Sequence, residues 1–228
     1  MKRTLSPLLS RTAAHGAALV EYGALVGLVA VVSIGSVAVL GQRANFDYLV
    51  AALEVHETTN PLENFLTNGD FDDVTGMTPS GWGYYSPTTE GWTSNNGLNF
   101  EFHNDGWQGM DSVNGNYWLD TQESPGGMDI EQTVDGLETG AVYKITLWAG
   151  DRDSDLDGEA MVFWNGSLVG TLDPTVEDTM QDFTFFIQSG AGTGEDRVRI
   201  VDIGPDDANG ISLDEVRIYG RGSPDDLD

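Results

Sequence analysis

The feature that most constrains this chain is a continuous apolar run, Ala17 to Leu40, which carries one carboxylate at Glu21. As a helix rising about 1.5 Å per residue, the run would be about 36 Å long, enough to cross a bilayer core of about 30 Å. A cleavable secretory signal has a shorter apolar region of about 7 to 15 residues, so a membrane-spanning helix fits better. Lys2, Arg3 and Arg11 precede the run, which predicts a cytoplasmic N-terminus and export of everything after residue 41.

Glu21 is costly in such a helix, because a carboxylate in hydrocarbon is penalised unless it meets a partner. One interpretation is a tolerated interfacial charge, since Glu21 lies only about one helical turn inside the run. The other is a specific partner for the charge, and the residues around Glu21 favour this second interpretation.

Gly16 and the segment AALVEYGALVGLVAVV after it resemble the processing site of type IVb pilins of the Flp class, which build tight-adherence (Tad) pili. In that family a prepilin peptidase removes a short basic leader after a glycine. A Glu-Tyr pair then stands at the fifth and sixth positions of the mature chain. The resemblance implies a leader over residues 1–16, cleavage between Gly16 and Ala17, and a role in filament assembly for Glu21 and Tyr22.

The resemblance also implies a partner for Glu21, namely the N-terminal ammonium freed at Ala17 of a neighbouring subunit. Opposite charges attract strongly in a low dielectric and a lone charge is penalised there, so the pairing favours a filament of like subunits over a dispersed monomer. The implied partners are other copies of the chain, the prepilin peptidase and the pilus assembly machinery. The implied location is the inner membrane before assembly and the extracellular pilus filament afterwards.

The helix is predicted to continue beyond the membrane, so that one pilin-type helix covers residues 17–60. Phe46, Leu49, Val50 and Leu53 recur at helical spacing, and the stretch that ends in Pro61 breaks the pattern.

From residue 62 the pattern changes to short strands separated by glycine-rich turns. Apolar and polar residues alternate in LNFEFHN (98–104), YKITLWA (143–149) and DFTFFIQ (182–188). EAMVFWNGSLVGTL predicts a hairpin with a type I′ turn at Asn165-Gly166. Trp118, Trp148 and Trp164 fall on predicted strands and are expected in the core.

The predicted fold class is therefore α+β by segment, with a long N-terminal hydrophobic helix followed by an antiparallel β-sandwich over residues 62–222. An acidic tail follows at 223–228. Ordered segments from NFLTNGDFDD to GISLDEVRIYG, over about residues 64–220, resemble bacterial galactose-binding-like jelly rolls, many of which are carbohydrate-binding modules. The resemblance implies a jelly roll, but sugar binding has to be argued from a site.

Two groups of acidic residues are candidate calcium sites. In the jelly rolls that this chain resembles, a structural Ca²⁺ joins the first strand to the last, and the matching positions here are Asp72 and Asp214. Oxygen ligands from distant segments suit Ca²⁺ and would stabilise the fold. The second group, Asp153, Asp155 and Asp157, resembles the first half of an EF-hand loop. Trp164 stands where the closing Glu would be, and a solvated acidic turn is the alternative.

Aromatic residues on loops are candidate sugar contacts, because sugar rings stack on flat apolar faces while polar neighbours bind the hydroxyl groups. Packing inside the fold is the alternative role. The candidates lie in a glycine- and proline-rich stretch and just after it: Trp82, Tyr84, Tyr85, Trp92, His103 and Trp107.

The charge balance narrows the choice of partners. The 37 acidic and 10 basic residues give a formal net charge of -27, which disfavours nucleic acid and anionic lipid headgroups and favours cations. The chain has no cysteine, so disulfides, thiol catalysis and cysteine metal sites are excluded.

The sequence carries no catalytic motif of the Ser-His-Asp, zinc or phosphate-loop kind, so we expect no enzyme activity. The preferred function is a structural pilus subunit whose exposed sandwich mediates surface attachment, with glycans as candidate ligands. One alternative is a carbohydrate-binding protein tethered by a single uncleaved membrane helix. A membrane-anchored glycosidase is the other, since paired carboxylates are abundant.

Overall fold

The computed structural model describes residues 40–51 apart from 42, together with 64–74, 81–84, 88–122, 126–152, 155–190, 195–206 and 209–222. The predicted leader, the processing site at Gly16 and Ala17, the pair Glu21 and Tyr22 and the acidic tail lie outside these residues. The chain divides into two units, Met1–Tyr48 and Leu49–Asp228. Residues 40, 41 and 43–51 are helical, and within the described ranges no helix has the length and hydropathy needed to span a membrane.

The described part of the second unit is built from twelve strands. In chain order they are β1 (Trp82–Tyr84), β2 (Thr88–Thr89), β3 (Trp92–Ser94), β4 (Glu101–Asn104), β5 (Tyr117–Asp120), β6 (Asp129–Thr133), β7 (Val142–Gly150), β8 (Ala160–Trp164), β9 (Ser167–Leu172), β10 (Gln181–Gln188), β11 (Arg197–Asp202) and β12 (Ser212–Gly222).

These strands form two six-stranded sheets. The first sheet has the order β1-β4-β5-β12-β7-β10, and the second has the order β2-β3-β6-β11-β8-β9. Every paired strand runs antiparallel to its neighbour. From β5 to β8 and from β9 to β12 the chain changes sheet at every connection, which is typical of a jelly roll. The predicted antiparallel β-sandwich is confirmed.

Alternation of side chains decides which face of each strand enters the core. In β7, Ile145, Leu147 and Ala149 are fully buried, whereas Thr146 and Trp148 lie on the opposite face. The expectation that Trp148 belongs to the core is therefore wrong, because strand side chains repeat with a period of two. Trp164 lies in the core as expected, whereas Trp118 is buried on the outer face of the first sheet, where it stacks on His103.

The hairpin predicted at Asn165-Gly166 is confirmed. β8 and β9 pair antiparallel on either side of these two residues. Asn165 has φ 49° and Gly166 has φ 78°, the left-handed pair of values that a type I′ turn requires.

Asn64 joins the start of the sandwich to its last strand. Its Oδ1 accepts hydrogen bonds from the backbone N–H groups of Leu66 and Ile218, both at 3.0 Å. Its Nδ2 donates to the carbonyl oxygen of Val216 at 3.3 Å. This side chain thus joins chain segments about 150 residues apart, together with backbone hydrogen bonds from Phe65 to Ile218 and from Val216 to Gly69.

Candidate functional site

One end of the first sheet carries an outward-facing polar cluster on β4 and β5. In this pair Glu101 lies opposite Asp120 and His103 lies opposite Trp118. Phe102 and Leu119, the residues between them, point into the core and are fully buried. Because side chains alternate along a strand, the polar cluster occupies the outer face.

Loops and β1 cover this cluster and leave a cavity of about 250 Å³. We call it the tryptophan pocket, and its lining residues are Trp82, Glu101, His103, Trp107, Gln108, Arg152 and Asn209. It combines two indole rings with one cation, one carboxylate, one imidazole and two amides. This composition is suited to a small polar ligand that has a flat apolar face.

Trp107 is held in place by the glycine at position 81. A Cβ atom built on Gly81 would lie 2.4 Å from Cζ3 of Trp107, and the backbone there has φ +102°. Only glycine allows both this close approach and this conformation without strain. Trp82, the next residue, is 45% exposed at the mouth of the pocket.

His103 forms the inner wall of the pocket and is only 2% exposed. Its ring stacks on that of Trp118 with the centroids 4.2 Å apart and the planes 6° from parallel. Nε2 of His103 lies 3.0 Å from Oε1 of Glu101 and 3.7 Å from Oδ2 of Asp120. Burial lowers the pKa of His103, although Glu101 opposes the shift.

Arg152 reaches into the same site from the end of β7. Its guanidinium contacts the carboxylate of Asp120, and the guanidinium carbon, Cζ, lies 5.1 Å from the centre of the Trp118 ring. Its NH1 donates a hydrogen bond of 2.8 Å to Oε1 of Gln108. Burial raises the pKa of Asp120 to about 8, and the charge of Arg152 opposes that shift. Arg152 is thus the cation that compensates the buried carboxyl.

The pocket brings together three of the six predicted sugar contacts, namely Trp82, His103 and Trp107. Trp92 is a correction: it is 1% exposed, packs on Phe71 with the ring centroids 5.6 Å apart, and donates from Nε1 to the carbonyl oxygen of Asn68. It lies on an inward position of β3 rather than on a loop. Tyr84 ends β1, and Tyr85 lies outside the described residues.

Sequence reasoning missed Glu101, Asp120 and Arg152. The alternation around Phe100 and Phe102 already places Glu101 on the outer face with His103, and that signal was available. Asp120 and Arg152 are 32 positions apart in the sequence, and no local pattern indicates that they are in contact.

A second cavity, of about 500 Å³, lies on the outer face of the first sheet, where β7, β10 and β12 are neighbours. Trp148 lines it, with Asp182 directly opposite on β10 and Thr184 opposite Thr146. The residue expected in the core therefore lines this second cavity instead. We call it the Trp148 groove.

Asp72 and Asp214, the first candidate calcium pair, are brought close together. Oδ2 of Asp72 accepts hydrogen bonds from the amides of Asn114 and Asn116, but its buried Oδ1 has no hydrogen-bond partner. Asp214 is fully buried and accepts from the N–H groups of Val113 and Glu215, both at 2.7 Å. Burial raises the pKa of Asp214 to about 7, and the nearby charge of Asp72 adds to this shift. Two carboxyl groups with an unpartnered oxygen fit a cation.

The second candidate group is described only in part. Asp153 lies outside the described residues, and Asp155 and Asp157 are exposed. The buried carboxylate of this loop is Asp151, whose Oδ2 accepts from the N–H of Gly158 at 2.8 Å. A calcium ion at this loop stays a prediction.

No protein-family model and no curated protein sequence matches the chain. Among solved structures, a family 35 carbohydrate-binding module from an environmental isolate is similar, with 21% identity, a TM-score of 0.43, and coverage of 61% of this chain and 94% of that one. A CBM35 from Paenibacillus barcinonensis is 15% identical, covers 60% of this chain and 97% of its own, and has a TM-score of 0.38.

An arabinose-bound α-L-arabinofuranosidase, MgGH51, is 13% identical with a TM-score of 0.42, and the match covers 69% of this chain but 27% of the enzyme. One similar solved structure is matched over 100% of its chain and another over 21%. Similarity at this level does not place the chain in a family, so function has to be argued from the site.

The contact between Arg152 and Asp120 gives a stability prediction. Replacing Arg152 with Met should lower the free energy of unfolding by about 3 kcal/mol at about pH 9, where the Asp120 carboxyl is ionised, because it leaves a buried carboxylate without its cation. Urea unfolding at this pH in the presence of a chelator measures this loss.

The control is Arg217→Met, which removes the pair between Arg217 and Glu215, where the arginine side chain is 52% exposed. An exposed pair of this kind contributes about 0 to 1 kcal/mol. Equal losses in the two variants would contradict the compensating role of Arg152.

Proposed function

We propose that this chain is a subunit of a type IVb (Flp/Tad) pilus and that its β-sandwich head binds glycans, attaching the filament to surfaces. One observation, the tryptophan pocket, supports the proposal that the head binds glycans. Trp82 and Trp107 offer flat apolar surfaces, while Gln108, Asn209, Glu101 and Arg152 offer hydrogen-bonding groups around them. Sugar rings need this combination of aromatic faces and polar groups.

Binding is preferred to hydrolysis because of where the carboxyl groups lie. A glycosidase needs two carboxyl groups that reach the scissile bond from opposite sides. In the tryptophan pocket the second carboxyl group near Glu101 is that of Asp120. The side chain of Asp120 is 1% exposed and is covered by Arg152. A sugar in the pocket would therefore meet one carboxylate and not two.

The filament part of the proposal depends on the sequence. The segment around Gly16, Ala17, Glu21 and Tyr22 resembles the processing site of Flp pilins, and a Glu21 placed in the membrane would gain from the N-terminus of an adjoining subunit. In this view the chain resides in the inner membrane before assembly. The prepilin peptidase then exposes Ala17, and the assembly machinery adds the subunit to an extracellular homopolymer.

A calcium ion between Asp72 and Asp214 belongs to the same proposal. These residues would hold the ion, together with neighbouring oxygen atoms, and the ion would tie the first segment of the sandwich to β12. The unpartnered Oδ1 of Asp72 supports this assignment. A chain of net charge -27 gains further from any bound cation.

Glycan binding can be tested with the full chain on a glycan array, followed by titration of the sugar bound best. Trp82→Ala and Trp107→Ala should each weaken binding about tenfold or more, because each removes a stacking surface worth about 1 to 2 kcal/mol. Trp148→Ala is the matched control, since it removes an indole ring from the Trp148 groove instead. Loss of binding in Trp148→Ala alone would move the site to that groove, and release of free sugar would favour the glycosidase.

Filament assembly can be tested in cells that make the chain. Glu21→Ala should enter the membrane but fail to join fibres, whereas Glu54→Ala, which removes a carboxylate beyond the apolar run, should assemble normally. The N-terminal sequence of sheared material should read Ala-Ala-Leu-Val-Glu. A chain that keeps Met1 and stays monomeric would instead indicate a tethered binding protein.

Calcium binding can be tested by melting the purified chain in Ca²⁺ and in EDTA. A Ca²⁺ concentration of about 100 times the Kd of the site should stabilise the fold by about 2.7 kcal/mol and raise the melting temperature by about 5 to 10 °C. Asp72→Asn should lose this increment, whereas Asp155→Asn should keep it. Equal melting temperatures for the wild type in Ca²⁺ and EDTA would refute the ion.

A further inference from the structure

The inner wall of the tryptophan pocket holds a second kind of donor set. Glu101, His103 and Asp120 each offer one ligand atom, and these atoms lie within 4.8 Å of one another. Nε2 of His103 is 3.0 Å from Oε1 of Glu101 and 3.7 Å from Oδ2 of Asp120. Donor atoms bound tetrahedrally at about 2.1 Å from one ion are about 3.4 Å apart, so both distances are close to those of a formed site.

His103 is the independent sign that a ligand is missing from this set. Its side chain is 3% exposed, and neither ring nitrogen makes a hydrogen bond of good geometry, although Oε1 of Glu101 lies 3.0 Å from Nε2. An unpartnered buried polar group costs about 1 to 3 kcal/mol, so native structures satisfy nearly all of them. An ion bound to Nε2 satisfies that nitrogen and uses the two carboxylates beside it.

The chemistry of the donors selects the class of ion. Neutral imidazole suits zinc and other first-row transition metals, whereas calcium takes oxygen ligands. Zinc accepts imidazole nitrogen and carboxylate oxygen as ligands, and three protein ligands leave a fourth position open. The carboxylates at Asp72 and Asp214 lack an imidazole, so the two sites differ in their choice of metal.

Arg152 competes for Asp120 but does not close the site. A carboxylate offers about four lone-pair positions, so Asp120 can contact both the guanidinium and an ion. Arg152 is also held by Gln108 and by the face of Trp118, and its guanidinium contacts Oδ2 of Asp120, the same oxygen that faces His103. With both carboxylates ionised, the two negative charges and the one guanidinium leave a net charge of -1 for an ion to neutralise.

We infer that Glu101, His103 and Asp120 form a binding site for a divalent first-row transition metal such as Zn²⁺, with its open position toward the tryptophan pocket. Glu101 and His103 line the cavity, so the open position faces solvent or a pocket ligand. The ion would fasten β4 to β5 beneath the pocket. This inference stands independently of glycan binding, because it depends on the donor atoms alone.

The test uses the full chain in detergent, stripped of metal and titrated with Zn²⁺ by calorimetry and with Co²⁺ by visible absorption. We expect one ion per chain at this site, a rise in melting temperature, and Co²⁺ bands of the intensity typical of four or five ligands. His103→Phe keeps a ring to stack on Trp118 and removes the nitrogen, and it should weaken Zn²⁺ binding at least tenfold. Glu101→Gln should do the same, which covers the case in which His103→Phe fails to fold.

His56→Phe is the matched control, since it removes another of the chain's three histidines and should leave Zn²⁺ binding unchanged. Asp72→Asn should also leave it unchanged, which separates this site from the calcium pair. The inference is overturned if the stripped wild type takes up no Zn²⁺ or Co²⁺. It is also overturned if His103→Phe and Glu101→Gln fold and bind these ions as tightly as the wild type.

Discussion

The arrangement of the pocket depends on the pairing register between β4 and β5. This register sets Glu101 against Asp120 and His103 against Trp118 on the outer face, and it sets Phe102 and Leu119 in the core. Because side chains alternate, a slip of one residue in either strand would turn that strand's polar side chains inward and expose its apolar ones. Exposing these apolar side chains would cost free energy, and this cost keeps the polar residues of the pocket in register.

Local sequence patterns predict the strands well, but they do not indicate contacts between residues that are far apart in the chain. The alternation in YKITLWA and the Asn165-Gly166 turn follow from rules that span a few residues, and both were predicted. The expectation of a core position for Trp148 fails, although its neighbours Leu147 and Ala149 already define which face points inward. Trp92 resembles a loop residue in the sequence because its strand has only three residues, Trp92–Ser94. The contact between Asp120 and Arg152 joins distant strands, and only the folded chain defines it.

Four arginines of the described part of the sandwich pair with carboxylates. Arg152 pairs with Asp120, Arg197 with Glu131, Arg199 with Asp129 and Arg217 with Glu215. Arg152 alone among these pairs is buried, and the other three arginine side chains are 39% to 52% exposed. Asp151, Asp202 and Asp214 are buried as well and accept hydrogen bonds from neutral donors. The acidic groups that are exposed repel polyanions and attract cations.

The absence of a side chain at position 81 has a consequence for sequence divergence. Trp107 lies against the bare backbone there, so a gain of one methyl group would clash with an indole that lines the tryptophan pocket. Divergence at this single position can therefore reshape the cavity, which makes position 81 the place to look when the cavities of related heads are compared.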